Sequence, residues 1–275
     1  PTSTYYTFGQ PRSLYHTGFT TKVLRDLSRD KKTRIIAQCF NYCGRSPKPV
    51  DIREWASQAL KNGAEWIEWY DDGPSKITLP DDYKEKLRVC HLITRMKKLQ
   101  LPTTTGTAIF FSNISRWGTS DEGLHAHYAL YAILGEGIGS WFKFISDTQL
   151  DIGAASLNQY RLLYVPQITY CSREVGDKLL AFAHNGGTLV IFDPEAFSFD
   201  KDGTSLQDLR DKILGGKCIA RTNASAVIAE SSEYCGVQPG TILPLTPLAH
   251  RNGSGSILAY EITPPQNAQV IARYP

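Results

Sequence analysis

The sequence lacks long hydrophobic runs, a strong excess of either charge and a regular cysteine spacing. Its longest apolar stretches, at 162–166 and 189–192, are far shorter than the roughly 20 residues that a membrane-spanning helix needs. Thirty Lys and Arg residues face 27 Asp and Glu residues, and no basic run is longer than the Lys31-Lys32 pair with its neighbours. This balance is unlike that of a nucleic-acid groove. We therefore predict no membrane span and no nucleic-acid partner.

The six cysteines and the single methionine give two further expectations. The cysteines are scattered through 275 residues without the spacing of a disulfide framework, so no pairing follows from them. Met96 is the only methionine, and the chain begins with Pro1 and no signal-peptide pattern. We expect this chain to be part of a longer protein. With 41% hydrophobic residues, it is long enough to bury one large core or two ordinary ones.

The segment from 34 to 72 has the pattern of a strand, a helix and a second strand. Residues 34–40 form a short apolar run, and 64–70 form another. Between them, Asp51 with Glu54 predicts the start of a helix that ends at Asn62-Gly63. Because the loops are short, we predict two parallel strands joined by a right-handed crossover.

The rest of the chain continues this alternation. A helix is predicted from Asp81 or Asp82 to about Leu99, and the Pro- and Thr-rich stretch after it predicts a domain boundary. We therefore divide the chain into domains 1–100 and 101–275. In the second domain, predicted strands at 106–112, 140–146, 158–166 and 188–193 alternate with helices at 121–134 and 172–184, which indicates a doubly wound α/β sheet. Weaker strands are predicted at 226–229, 256–262 and 270–273.

A candidate site lies where the two strands of the first domain end. Ligands of parallel α/β sheets bind at the carboxyl ends of the strands. Aromatic rings that stack on sugar faces, beside amides and carboxylates, are typical of a carbohydrate site. The alternative is that the tryptophans here pack in a core and that the acidic residues only form a solvated turn. The candidate residues are Gln38, Phe40 and Tyr42 at the end of the first strand, and Glu68, Trp69 and Asp71 at the end of the second.

No metal or cofactor is predicted. His125 and His127 are two positions apart on a helix, so their side chains diverge and cannot share an ion. Cys39 and Cys43 give only half of a zinc site. The glycines at 135–139 lie between a helix and a strand, which is the reverse of the order in a dinucleotide-binding loop.

Two stretches resemble one enzyme family. Residues 49–72, with Arg53-Glu54-Trp55-Ala56 and Ile67-Glu68-Trp69-Tyr70, resemble the last turns of the (β/α)₈ barrel in clan A glycoside hydrolases, most closely the family 42 β-galactosidases. Residues 160–166 and 179–190 resemble the middle, trimerisation domain of that family, whose fold is similar to a class I glutamine amidotransferase. The resemblance implies an α/β fold in which the C-terminal part of a barrel precedes a flavodoxin-like domain truncated at its C-terminus.

The resemblance also implies a function. It implies hydrolysis of β-linked, galactoside-like sugars with retention through a covalent glycosyl-enzyme, in a homotrimer. The family nucleophile is a Glu at the end of the seventh strand, where this sequence has Gln38, and an amide cannot attack an anomeric carbon. Either another carboxylate such as Glu68 or Asp71 acts, or the protein is a non-catalytic carbohydrate-binding or assembly protein. The resemblance also implies an aromatic residue of the eighth strand under the sugar, and Trp69 or Trp66 matches it. Strand alternation allows only one of the two to face the interior.

Overall fold

Strands and helices alternate through most of this computed structural model. It describes residues 2–3, 15–28, 31–39, 47–70, 80–96, 99–119, 122–193, 195–215, 217–224, 226–230, 236–244, 257–263, 269 and 272–273. The helices are α1 (His16–Leu27), α2 (Pro49–Lys61), α3 (Pro80–Arg95), α4 (Asn113–Thr119), α5 (Glu122–Leu130), α6 (Asp147–Asp151), α7 (Arg173–His184) and α8 (Gln207–Leu214). The strands up to the last helix are β1 (Thr2–Ser3), β2 (Arg34–Gln38), β3 (Trp66–Tyr70), β4 (Thr107–Phe111), β5 (Lys143–Ser146), β6 (Leu162–Val165) and β7 (Thr188–Ile191).

The first sheet has the order β1-β2-β3, and both pairs of neighbours are parallel. The predicted strand-helix-strand unit is therefore present, with α2 as the connection between β2 and β3. One side of this sheet is covered by helices, since Ile35 packs with Ala59 and Ala64, while Ile67 also contacts the cluster around Ile52.

Helix α2 begins two residues before the predicted cap. Lys48 is the N-cap residue, and Pro49 occupies the first turn, where its missing N–H costs no hydrogen bond. Asp51 is thus at the third helical position, and its carboxylate accepts a hydrogen bond from the Lys48 amide at 2.7 Å. The expectation that Asp51 is the cap was wrong by three positions. Its carboxylate still stabilises the helix start, because it lies at the positive end of the helix dipole.

The second sheet has the order β5-β4-β6-β7, and β4 is parallel to both of its neighbours. Aromatic side chains dominate the core on one side of β4 and β5. Phe19 of α1 makes edge-to-face contacts with Tyr131 and Phe144, with ring centroids 5.9 and 5.8 Å apart. The same core contains Ile109 and Phe111 from β4. The parallel α/β character expected from the sequence is confirmed.

A π-helix at Tyr131–Gly137 continues α5. The sequence predicted an ordinary helix to about Leu134 with a glycine stop. In the π-helical turn, Tyr131 and Leu134 are both buried. The wider turn carries the helical run past Gly135 to Gly137, because each backbone bond there spans five residues instead of four.

The C-terminal strands pair in antiparallel fashion. Strand β8 (Lys217–Ala224) pairs with β11 (Ile257–Thr263). Strand β9 (Ala226–Ala229) lies between β10 (Ile242–Pro244) and β12 (Ala272–Arg273).

By its contacts the chain divides into two compact units, residues 1–111 with 121–164 and residues 112–120 with 165–275. The division at residue 100 stays a prediction.

Candidate functional site

The candidate site is built on the register between β2 and β3. Ile36 lies opposite Glu68, and Gln38 lies opposite Tyr70, in a parallel pair. Because alternate residues of a strand point to opposite faces, Gln38, Glu68 and Tyr70 share one face of the sheet. Gln38 and Tyr70 are also the last residues of their strands. The carboxyl-end edge therefore carries an amide beside a phenol ring.

Trp69 lies on the other face. It packs with Ile52, Ala56 and Val89, which belong to α2 and α3, so its ring is part of the core between the sheet and its helices. Trp66 shares the face of Gln38 and is 66% exposed, but it begins β3 instead of ending it. The aromatic residue that combines the right face with the right end of the strand is Tyr70.

Gln38 is fully buried, with no exposed surface. The ladder continues past it, because the Cys39 amide donates a hydrogen bond to the Tyr70 carbonyl oxygen at 2.9 Å. Burial disfavours the charged form of an acid, so a neutral amide is easier to accommodate here than a carboxylate. An amide at this position supplies no nucleophile.

Glu68 is the carboxylate on the same face, two residues before the end of β3. It forms an ion pair with Arg34 at the start of β2, and both side chains are partly exposed. Two residues of a strand span about 7 Å. The Glu68 carboxylate therefore lies on the amino-terminal side of the Gln38–Tyr70 pair. Its ion pair with Arg34 would have to break before it could act on a ligand.

Three of the predicted site residues, Phe40, Tyr42 and Asp71, lie outside the described residues, and their part in the site stays a prediction. Sequence reasoning named Tyr70 only as one residue of a strand end. The alternation of side chains along β2 and β3 would have identified it. If Arg34 is placed opposite Trp66, Gln38 falls opposite Tyr70 and on the same face of the sheet.

The described residues offer no metal centre, because no group of three or more His, Cys, Asp or Glu side chains among them is close enough to hold an ion. His127 is buried, with its Nε2 atom 2.9 Å from the Phe110 carbonyl oxygen. Within the same residues, none of the helices is both long and apolar enough to cross a membrane.

Comparison with known families gives a match for the part of the chain that contains the second sheet. Residues 105–192 match the family model described as the beta-galactosidase trimerisation domain. This region contains β4 to β7 together with the helices between them. The predicted resemblance to family 42 β-galactosidases is confirmed.

Solved structures extend the similarity to the whole chain. The β-galactosidase from Bacillus circulans sp. alkalophilus superposes with a TM-score of 0.70 at 14% identity, covering 98% of this chain and 42% of that one. The β-galactosidase from Rahnella sp. R3 gives 0.70 at 14% identity, covering 100% and 43%. A catalytic mutant of Gan42B, a GH42 β-galactosidase from G. stearothermophilus, gives 0.69 at 15% identity, covering 100% and 42%. This chain thus spans less than half the length of these enzymes, and the likeness is one of fold. No curated protein matches the sequence.

Proposed function

We propose that this chain is the sugar-binding and assembly portion of a glycoside hydrolase-like protein. In this proposal, residues 1–100 form the C-terminal part of a (β/α)₈ barrel, and 101–275 form a flavodoxin-like, trimerisation-type domain. The parallel order β1-β2-β3 with a crossover helix supports the first part. The order β5-β4-β6-β7, which is the flavodoxin order, supports the second. The match of residues 105–192 to the trimerisation domain is the observation that carries the proposal.

The ligand of this proposal is a β-linked, galactoside-like sugar bound at the carboxyl ends of β2 and β3. Tyr70 offers a partly exposed ring for the apolar face of a pyranose, and the buried Gln38 amide lies beneath this edge in register with Tyr70. Phe40, Tyr42 and Asp71 would complete this edge. Trp69 is left out of the sugar contact, since its ring packs with the helices.

Binding without retaining hydrolysis is the function that this geometry favours. A retaining mechanism needs two carboxyl groups about 5 Å apart, one of them free to attack. Position 38 carries an amide, and the Glu68 carboxylate is paired with Arg34. The second candidate is a retaining hydrolase that uses Glu68, which is favoured by the placement of Glu68 on the face of Gln38.

The binding test measures the affinity of this chain for a thiogalactoside by calorimetry. Glycosidases cleave thiogalactosides very slowly, so the ligand stays intact during the titration. Loss of a stacked ring should weaken binding by about three- to tenfold in Tyr70→Ala. Trp66→Ala is the matched control, because Trp66 lies on the same face but four residues away, about 13 Å along the strand. Equal affinity in the wild type and Tyr70→Ala would contradict the proposed sugar position.

The hydrolysis test separates the two candidates. We expect no release of nitrophenol from an aryl β-galactoside by the wild type beyond the buffer rate. Turnover that is lost in Glu68→Gln would favour the retaining hydrolase. The variant Gln38→Glu tests whether position 38 can hold the nucleophile. A gain of turnover in that variant would show that position 38 lies at the reacting carbon.

The assembly test is light scattering over a range of protein concentrations. A trimer would have three times the 30.7 kDa mass of the chain. A monomer at every concentration would contradict the assembly role while leaving the sugar-binding result untouched, so the two parts of the proposal fail separately.

A further inference from the structure

A cavity of about 400 Å³ lies beside the start of β3, at the opposite end of the strand from Tyr70. The end of α2, the end of α3 and the segment 99–101 contribute its walls. Most of the wall is apolar, and the principal contacts come from Leu60, Ile93, Met96, Leu99 and Leu101. Such a volume with an apolar lining is within the range of small-molecule sites.

One charged group of α1 reaches this apolar wall. Arg25 lines the cavity, and its Nη1 atom is buried without a hydrogen-bond acceptor among the residues that the structure describes. The guanidinium lies over the Trp141 ring, with its central carbon 5.4 Å from the ring centroid. Gly63 makes room for the side chain, since a Cβ atom there would lie 2.5 Å from Arg25 Cδ. Packing on both sides therefore fixes where the guanidinium points.

The surroundings of Arg25 carry an excess of positive charge. Lys22 lies over the same Trp141 ring at 4.3 Å and is paired with Asp26. Burial lowers the pKa of Lys22 despite the attraction of Asp26, and repulsion from Arg25 and Lys143 adds to that lowering. Lys22 and Arg25 therefore lie over one ring, with Lys143 close enough to repel Lys22. A buried donor on a cation gains most from an anionic acceptor.

A second polar group restricts the ligand further. Glu65 also lines the cavity, and it is exposed. Its carboxylate repels a ligand with a second negative charge, whereas a single charge beside Arg25 is attracted. The cavity thus combines one cationic end, an apolar wall and an acidic rim.

We propose that this cavity binds a small monocarboxylate with an unbranched apolar chain. The carboxylate accepts hydrogen bonds from the Arg25 guanidinium, and the chain packs on Leu60, Ile93 and Met96. The site is separate from the Gln38–Tyr70 edge, because the two lie at opposite ends of β3, and it does not depend on the proposed sugar-binding function.

Octanoate is the probe, and octanol is its uncharged match. We expect octanoate to bind the wild-type chain once, in the millimolar range or tighter, as measured by calorimetry and by NMR line shifts. Octanol should bind at least about tenfold more weakly, because it cannot form the charge-assisted hydrogen bonds. Equal affinity of octanoate and octanol, or no saturable binding of octanoate, would overturn the proposal.

Variants assign the effect to Arg25. Arg25→Met should weaken octanoate binding by about ten- to a hundredfold and leave octanol binding unchanged. Arg161→Met, which removes an exposed arginine that does not line the cavity, is the matched control and should bind octanoate as the wild type does. Unchanged octanoate affinity in Arg25→Met would also overturn the proposal.

A further variant covers the case in which Arg25→Met does not fold, as judged by circular dichroism. Arg25→Lys keeps the charge and loses the planar fork, so it should retain part of the preference for octanoate over octanol. Leu60→Phe fills the cavity and should abolish binding of both probes. Octanoate binding that survives Leu60→Phe would place the ligand elsewhere and overturn the proposal.

Discussion

The hydroxyl of Tyr131 accepts a hydrogen bond from Asn62 Nδ2 at 2.8 Å, and this bond joins the end of α2 to the π-helix. Tyr131 in turn donates to Glu136 Oε1 at 2.8 Å, and Glu136 pairs with Lys61. Burial and the neighbouring Glu136 carboxylate raise the pKa of Tyr131, so its hydroxyl stays protonated. Four side chains therefore form one polar network between two helical elements.

Removal of this hydroxyl is expected to destabilise the fold. Tyr131→Phe removes one of the two acceptors of the buried Asn62 amide, which keeps its hydrogen bond to the Gln58 carbonyl oxygen, and it removes the donor to Glu136 Oε1. The loss should lower the free energy of unfolding by about 1–3 kcal/mol. Urea unfolding measures the change. Tyr160→Phe is the matched control, because Tyr160 is also buried but Tyr131 is the one that joins Asn62 to Glu136. A similar loss in both variants would contradict the importance of the network.

A methyl group at position 18 should disturb the same junction. Alanine normally stabilises the interior of a helix by about 1 kcal/mol over glycine. At Gly18 of α1, however, a Cβ atom would lie 2.2 Å from the Tyr131 hydroxyl and 2.9 Å from Asn62 Nδ2. Overpacking of this kind costs about 1–3 kcal/mol, so Gly18→Ala should unfold at lower urea.

Gly106→Ala is the control for that measurement. A Cβ atom at Gly106 meets no other atom within 4 Å. Its effect should be within about 0.5 kcal/mol. A stabilising effect of Gly18→Ala would contradict the prediction. It would show that α1 can shift away from Tyr131 and Asn62 at little cost.

The Lys22–Asp26 pair should be worth far more than a surface pair. Both side chains are almost fully buried, with 2.6 Å between Lys22 Nζ and Asp26 Oδ2. Lys22→Met leaves a buried carboxylate whose remaining hydrogen-bond donor, among the residues that the structure describes, is the Phe144 amide. The change should lower the free energy of unfolding by about 3–5 kcal/mol. The double variant Lys22→Met with Asp26→Asn should recover part of this loss.

Lys84 and Asp81 supply the control for that double-mutant cycle. This pair is exposed, with 77% and 79% of the two side chains accessible, so its coupling should be at most about 1 kcal/mol. Equal coupling energies for the two pairs would mean that burial does not decide the strength of the inner pair.

The Arg173–Asp208 pair gives a prediction about acid. Arg173 donates two hydrogen bonds to the Asp208 carboxylate, at 2.9 and 2.7 Å, and these bonds lower the pKa of Asp208 to about 2. Since this pKa lies below the ordinary 3.8, the stabilising effect is present above about pH 4 and is lost as the pH falls towards 2. An NMR titration of the carboxyl carbon should show a midpoint near 2.

Two variants test the cause of that shift. Arg173→Met should return the pKa of Asp208 towards its ordinary value. Lys212→Met should change it less, because Lys212 Nζ is 4.0 Å from the carboxylate and makes only a small contribution. A larger change in Lys212→Met would contradict the assignment to Arg173.

The strand-helix-strand unit could be predicted from the sequence because local pattern and packing agree there. Ile52, Ala56 and Ala59 repeat at helical spacing and are buried in the fold. The helix start was misjudged because Asp51 has the residue type of a cap, whereas Pro49 and Lys48 decide where the first turn begins. Such boundaries depend on one or two backbone dihedral angles that composition does not reveal.

The π-helix could not be predicted from the sequence. Gly135 and Gly137 are typical of a helix stop, but the helix continues through them as a wider turn, across which Tyr131 donates a hydrogen bond to Glu136. The candidate site was predicted in part. The strand ends and Gln38 followed from the pattern, but the choice between Trp66, Trp69 and Tyr70 depends on which face the helices cover, and that is a tertiary property.

Gln38 is fully buried at the end of β2, and its amide does not titrate between pH 2 and 12. The polarity that Gln38 itself contributes is therefore constant through the whole range in which carboxylic acids and imidazoles change charge. Sugar affinity that varies between pH 5 and 8 would have its origin in a different residue, and a flat profile is what an interior amide contributes.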